Sequence, residues 1–189
     1  MKCRKSDTDS IKKTAECLKN GGVVIIPTDT VYGFSGIVPE TDAKIREIKG
    51  RAENKPFIQL ISKPEDVKNL TDDHIPEKLL SYWPGPLTII VNDKEKKSTV
   101  AVRCPGDEWL RSVIAETGKI IYSTSVNRSG SPVITDIDEI SREFSGEVDL
   151  IVDDGNSESS VPSTIVSVTE GSVKVIREGA VTVDSMLQE

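Results

Sequence analysis

The sequence predicts an α/β domain built on a large parallel or mixed sheet. Two observations predict it. Short β-branched apolar runs alternate with helical patterns along the whole chain. Several of those runs also end in hydroxyl, amide or guanidinium side chains, and in α/β sheets ligands bind outside the carboxyl ends of the strands. The 189 residues suit one domain, 1–189, and are ample for a closed core.

The elements follow in order. Ser6-Asp7-Thr8-Asp9 can cap a helix that runs to about Asn20 and closes at Gly21-Gly22. Val23–Ile26 reads as a short buried strand. Thr41-Asp42 opens a helix ending near Lys49-Gly50, and Phe57–Ile61 is strand-like. Pro64-Glu65-Asp66 starts a short helix, and Pro76-Glu77 starts another that stops at Trp83-Pro84-Gly85-Pro86. Leu87–Val91 and Thr99–Val102 are strands, Asp107–Thr117 a helix ended by Gly118, and Ile120–Tyr122 a strand. Asp136–Phe144 is a helix. Leu150–Val152, Thr164–Val168 and Val173–Ile176 are strands. Asp153–Ser160 is a polar loop too short to be a domain linker.

Composition narrows the function. Apolar residues make up 36% and charged residues 29%, which fits a soluble globular chain. No apolar run approaches the roughly 18 residues of a spanning helix. The start, Met1-Lys2-Cys3-Arg4-Lys5, leads straight into polar residues with no apolar stretch of a secretory signal. A cytoplasmic location is the expectation. Cys3, Cys17 and Cys104 are odd in number and form no CxxC, so neither a disulfide framework nor a structural zinc site is expected. The one histidine, His74, reads as a surface residue, which excludes Ser-His-Asp and Cys-His chemistry. The net charge of −7 argues against a nucleic-acid coat protein. It is unevenly spread: +3 over residues 1–60, zero over 61–130 and −10 over 131–189, which leaves room for a cationic site nearer the front.

Nucleotide fingerprints are absent: there is no GxxxxGK[ST] and no GxGxxG after a strand. The strand exits stand out instead. Val23–Ile26 leads into Pro27-Thr28-Asp29-Thr30-Val31-Tyr32-Gly33, Thr99–Val102 into Arg103, Ile120–Tyr122 into Ser123-Thr124-Ser125-Val126-Asn127, and Val173–Ile176 into Arg177. Taken singly, such an arginine is an edge residue or ion-pair partner, and such a turn is only a turn. Their recurrence carries the argument. The set offers donors and hardly any general base, so it suits holding an anion more than moving protons.

Lys49-Gly50-Arg51-Ala52-Glu53-Asn54-Lys55-Pro56 is the second constellation. Complementing a helix dipole explains Lys49 but not Arg51 and Lys55, which lie beyond the helix. One guanidinium fork and two ammonium groups would serve a phosphate chain. Trp83-Pro84-Gly85-Pro86-Leu87-Thr88 is a stiff turn whose default role is packing, and Ser163-Thr164 places hydroxyls where a strand starts.

Together these segments, with Val100-Ala101-Val102-Arg103, Ser129-Gly130, Pro162-Ser163-Thr164 and Ile176-Arg177-Glu178-Gly179, occur in the order of a known family. The chain resembles the YrdC-like threonylcarbamoyl-adenylate synthases over about residues 23–180. Each motif is weak, but the ordered set is specific. The resemblance implies a single α/β domain whose large twisted mixed sheet and flanking helices surround a deep cationic cavity. It implies the reaction of L-threonine, bicarbonate (or CO2) and ATP to threonylcarbamoyl-AMP and pyrophosphate, with Mg2+ accompanying ATP. The product would feed threonylcarbamoylation of adenosine 37 in tRNAs that read codons starting with A. Candidate partners are therefore tRNA and the threonylcarbamoyl-transferase complex, and no membrane. The chain resembles the short form, without an extra C-terminal domain.

The family signature falls on Lys49, Arg51, Ser125 and Asn127 as the catalytic set. Family ATP contacts fall on Arg51, Lys55, Thr99, Ser125, the backbone near Val133, and Arg177. Threonine contacts fall on Thr30, Arg103, Ser123 and Ser163, with Arg103 the fork for the carboxylate. No metal ligand is expected from the protein. Departures from the family pattern are Ala52 for proline, Thr124 and Val126 in the serine–asparagine segment, Glu178 for proline, and Leu60 where histidine is frequent. None removes a charge that the family supplies. The rival readings are an RNA-binding module without catalysis, a carbamoyl-adenylate-forming domain like that of hydrogenase maturation proteins, and an inactive paralogue. The acidic last third and the 4% aromatic content disfavour the first. The absence of zinc-binding segments disfavours the second, and the intact charged set the third.

Overall fold

Val24, Ile25 and Ile26 are fully buried, which requires cover on both faces of their strand. In the computed structural model, which describes residues 1–50, 56–157 and 161–183, that cover is two layers of helices. The described strands are β1 (Lys2–Arg4), β2 (Val24–Ile26), β3 (Gly33–Ser35), β4 (Ile58–Leu60), β5 (Leu87–Asn92), β6 (Thr99–Arg103), β7 (Ile121–Ser125), β8 (Leu150–Asp153), β9 (Thr164–Ser167) and β10 (Lys174–Arg177). They form one mixed sheet in the order β1-β8-β2-β3-β7-β4-β6-β5-β9-β10. The helices are α1 (Ser10–Lys19), α2 (Asp42–Lys49), α3 (Glu77–Leu80), α4 (Glu108–Thr117) and α5 (Ile137–Phe144), with a 3-10 turn at Pro64–Asn69.

The twofold alternation of β2 sets the layers. Ile25 packs with Ile45 and Ile48 of α2 and Ile140 and Phe144 of α5. Val24 and Ile26 pack with Leu18 of α1 and Leu110, Val113 and Ile114 of α4 on the other face. In the other half of the sheet, Ile89, Val91, Val102 and Val166 form a third cluster with Leu79 of α3, Val67 and Trp83. Their neighbours Ile90, Ala101 and Ile165 point to the opposite face and are only half-buried. That less covered face positions the site.

The mixed α/β sheet matches the expected class, and the structure adds detail. Strands β1 and β3 were not expected. β1 pairs in parallel with β8, and β3 is held between β2 and β7 by antiparallel ladders (Val24↔Ser35, Gly33↔Ser125). β7 runs through Ser125 instead of stopping at Tyr122. The expected cap on α1 is not made: no side chain caps it, and Asp9 pairs with Lys13 at 2.9 Å. Asp107 and Asp136 do cap, accepting from Leu110 N and from Asp138 N and Glu139 N. Gly50 and Gly118 close α2 and α4 in the left-handed conformation. Among the described residues, no helix is long and apolar enough to cross a membrane. All three cysteines are unpaired, and His74 is exposed.

Candidate active site

Strand register builds the floor of the site. Ser123 on β7 pairs with Ile58 on β4, Ile58 with Ala101 on β6, and Ala101 with Ile90 on β5. This row crosses four neighbouring strands on one face and lines a cavity of about 320 Å³. The site therefore lies over the sheet face and extends past the strand ends, where Arg103 and Arg177 stand as last residues of β6 and β10. Thr30, Arg103, Ser123, Ser125, Val133, Ser163 and Arg177 all line it. Its lining contains no carboxylate among the described residues.

Arg103 forms one corner. It is only 4% exposed. Its Nε donates to Gly85 O at 3.2 Å and its Nη1 to Thr30 Oγ1 at 3.1 Å, while Nη2 pairs with Asp29 Oδ1. Burial pushes its pKa below the ordinary value, and Asp29 pulls it back up; it stays charged. Thr28 Oγ1 donates to Val31 O at 2.8 Å, so in the 3.0 Å contact between the two hydroxyls Thr30 is the donor. The lone pairs of Thr30 then face Arg103. The proline-rich turn after Trp83 has a role beyond packing, since its Gly85 O anchors this guanidinium.

Arg177 forms the other corner. Its Nε and Nη2 donate to Ser163 O at 3.2 and 2.8 Å, and Nη2 also reaches Ser163 Oγ at 3.4 Å. Ser163 Oγ shares a 2.8 Å hydrogen bond with Thr88 Oγ1. Partial burial lowers the Arg177 pKa, and no carboxylate pairs with it among the described residues. Gly179 lets this segment dock. A Cβ there would lie 2.4 Å from Pro162 O and 2.5 Å from the Ser163 carbonyl carbon, so no side chain fits.

Ser125 stands beside the floor, and its hydroxyl donates to Asn127 Oδ1 at 2.7 Å. Asn127 Nδ2 donates to Arg128 O and Ser131 O, which closes the turn that carries Val133. Lys49, expected in the catalytic set, is turned into the protein. It is 2% exposed, and its Nζ donates to Ser125 O (2.5 Å), Asn127 O (2.8 Å) and Asn127 Oδ1 (3.1 Å), 5.2 Å from the Phe34 ring. A buried ammonium needs such partners. Lys49 and Asn127 support the cavity without lining it. Thr99 is exposed at the start of β6, on the face shared by Ala101 and Arg103, and is outside the described lining. Arg51 and Lys55 lie outside the described residues.

Sequence reasoning did not single out Asp29 or Gly85 as site residues. Asp29 lies in the strand exit 27–33, beside Thr30, and its link to Arg103 spans 74 positions.

The family model for Sua5/YciO/YrdC, described as telomere recombination, matches residues 16–179. The chain belongs to the Sua5/YciO/YrdC family. Among its relatives in this family, the threonylcarbamoyl-AMP synthase of Bacillus subtilis (strain 168) is 33% identical over 91% of this chain and 54% of its own. A putative threonylcarbamoyl-AMP synthase of Methanocaldococcus jannaschii is 34% identical over 93% of this chain and 90% of its own. The crystal structure of Pyrococcus abyssi Sua5 complexed with L-threonine superposes with a TM-score of 0.84 at 30% identity, covering 95% of this chain and 57% of that one. The chain spans about half the length of the B. subtilis and P. abyssi proteins.

Proposed function

We propose that this family member is an L-threonylcarbamoyladenylate synthase, converting L-threonine, bicarbonate and ATP to threonylcarbamoyl-AMP and pyrophosphate. One observation carries the reading: a single cavity holds a guanidinium paired with a carboxylate, Arg103, and one that no described carboxylate pairs with, Arg177, over a largely apolar floor. The names of the relatives point the same way.

In this reading Arg103, oriented by Thr30, holds the threonine carboxylate, with Ser123 and Ser163 completing that end. Val31, which lines the cavity, packs on the threonine methyl. One methyl gives about 1–3 kcal/mol over serine. The neutral amine takes up CO2, or bicarbonate with loss of water, to give a carbamate. A carbamate oxygen then bonds to the α-phosphorus, the bond from that phosphorus to the bridging oxygen breaks, and pyrophosphate leaves with the electron pair. The barrier is the approach of an anion to a polyanion, which fixed cations lower. Arg177, Ser125 and, from the family pattern, Arg51 and Lys55 face the phosphates. Thr99 and the backbone near Val133 take the nucleoside end, and Lys49 and Asn127 hold the Ser125 turn. Among the described residues the lining offers hydroxyls and guanidiniums and no carboxylate, which fits Mg2+ arriving with ATP and held by its phosphates. The product is an activated carbamoyl donor for the tRNA-modifying transferase.

The test is pyrophosphate release from ATP and Mg2+, with threonine and bicarbonate each omitted in turn and serine as control. The product mass is sought in the same tube. Release that needs both, with a threonylcarbamoyl-AMP mass, is the expected result. ATP binding without release, together with salt-sensitive tRNA binding, would replace this reading with RNA binding alone.

A further inference from the structure

We propose that Asp29 is a positioning residue for threonine: its carboxylate locks the Arg103 guanidinium so that one N–H on each terminal nitrogen is left for the amino acid's carboxylate. The inference rests on the synthase reading. Its basis is donor counting. A guanidinium has five N–H donors. In Arg103, Nε goes to Gly85 O, one donor of Nη1 to Thr30 Oγ1 and one of Nη2 to Asp29 Oδ1. One donor remains on each terminal nitrogen among the described contacts. One donor on each terminal nitrogen is the number that bidentate binding of a carboxylate needs.

Asp29 is itself fixed. Its Oδ2 accepts from Gly106 N at 2.8 Å, which ties the β2–β3 connection to the turn after β6. A Cβ at position 106 would come 2.9 Å from that oxygen, so a side chain there would push the carboxylate away. The Asp29 side chain is 17% exposed and that of Arg103 is 5% exposed, so neither reorients freely in solvent. Without the carboxylate, Arg103 would be a buried charge held only by two neutral oxygens. Such a group drifts or draws in water. The same contact admits the opposite reading, in which Asp29 occupies Arg103 as a competitor that threonine must displace. The two readings predict opposite signs.

Equilibrium binding of L-threonine, L-threoninol and ATP is measured for the wild-type chain, Asp29→Asn and Asp29→Ala, with steady-state kinetics and a thermal melt of each. Asp29→Asn is expected to weaken threonine about tenfold and Asp29→Ala about fiftyfold, with ATP moving less than about twofold. The loss falls on KM for threonine, not on kcat. The preference for threonine over threoninol shrinks with it, which a merely structural role would not produce. If Asp29→Ala does not fold, Asp29→Asn decides. Unchanged or tighter threonine binding in Asp29→Asn overturns the proposal, and so does an equal loss for ATP. A wild-type chain that binds threonine while Asp29→Asn does so equally well removes the Asp29 role alone. A wild-type chain that binds no threonine removes the synthase reading and this inference together.

Discussion

Arg103 and Arg177 end two strands of one sheet and line one cavity, but their surroundings differ. Arg103 is buried, anchored by two neutral oxygens and neutralised by Asp29. Arg177 is more open to solvent, and its anchors are the oxygens of Ser163. A neutralised, immobile guanidinium reads shape: it adds little net charge and offers a fixed fork to one small carboxylate. An uncompensated guanidinium supplies charge, which a triphosphate needs more than it needs exact orientation. In the proposed reading, the two corners of the cavity divide recognition of an amino acid from recognition of a polyanion.

The largest effect that bears on this division is expected at Arg103. Arg103→Ala removes the fork and leaves Asp29 without its partner. It should lower kcat/KM for threonine about a thousandfold, the scale of truncating one side of a buried charge pair. Binding of ATP should change little. The double variant Arg103→Ala/Asp29→Ala should regain thermal stability without regaining threonine. Arg177→Ala should raise KM for ATP about thirtyfold and KM for threonine less than about threefold, as expected for losing hydrogen bonds to a charged group. Because Arg177 is partly open, salt should screen it, so KM for ATP should rise with ionic strength in the wild type and stay flatter in the variant. Equal losses of both substrates in both variants would dissolve the division.

How much of this could be read in the sequence follows from where each signal resides. β2, β5 and β6 were legible because their β-branched runs carry the signal in their own residues. β1 and β3 were not, because Lys2-Cys3-Arg4 is a strand only through its ladder with β8, and Gly33-Phe34-Ser35 only through its ladders with β2 and β7. The residue types of the site were legible at the strand ends. Their pairings were not, since Asp29–Arg103 and Lys49–Ser125 join positions 74 and 76 apart. Lys49 shows the limit most clearly. A lysine ending a helix reads as an exposed complement to the dipole, and only the packing of α2 against Phe34 turns it inward.

That inward turn gives the next test. Lys49→Met keeps the volume and removes the donor from Ser125 O, Asn127 O and Asn127 Oδ1. Asn127 Oδ1 keeps the Ser125 hydroxyl, and depriving the two backbone carbonyls of this donor costs about 2 kcal/mol, or about 6 °C in Tm for a chain of this size. The activity loss should fall on ATP, through the displaced Ser125, and spare threonine binding. A variant as stable as the wild type would show that the ammonium is replaceable by water.

The smallest effect is expected behind the threonine corner, at Tyr32. Its hydroxyl donates to Gly155 O and accepts from Asp154 N, both at 2.8 Å. The same segment reaches Thr30 O through Ser157 Oγ at 3.4 Å, so the latch supports the residue that orients Arg103. Tyr32→Phe should cost about 1 kcal/mol of stability and raise KM for threonine about twofold, with no change for ATP. Its pH dependence has a definite sign. Burial pushes the Tyr32 pKa up to about 12 in the folded chain, above its ordinary value of 10.0. A raised pKa means the folded state holds the proton more tightly than the unfolded one, so the contribution is fully present below pH 10 and is lost as pH rises through about 12. The stability difference between wild type and Tyr32→Phe, measured by denaturant unfolding, should therefore be constant up to about pH 10 and shrink above it. A difference that grows with alkaline pH would mean that the phenolate is the better partner for this loop.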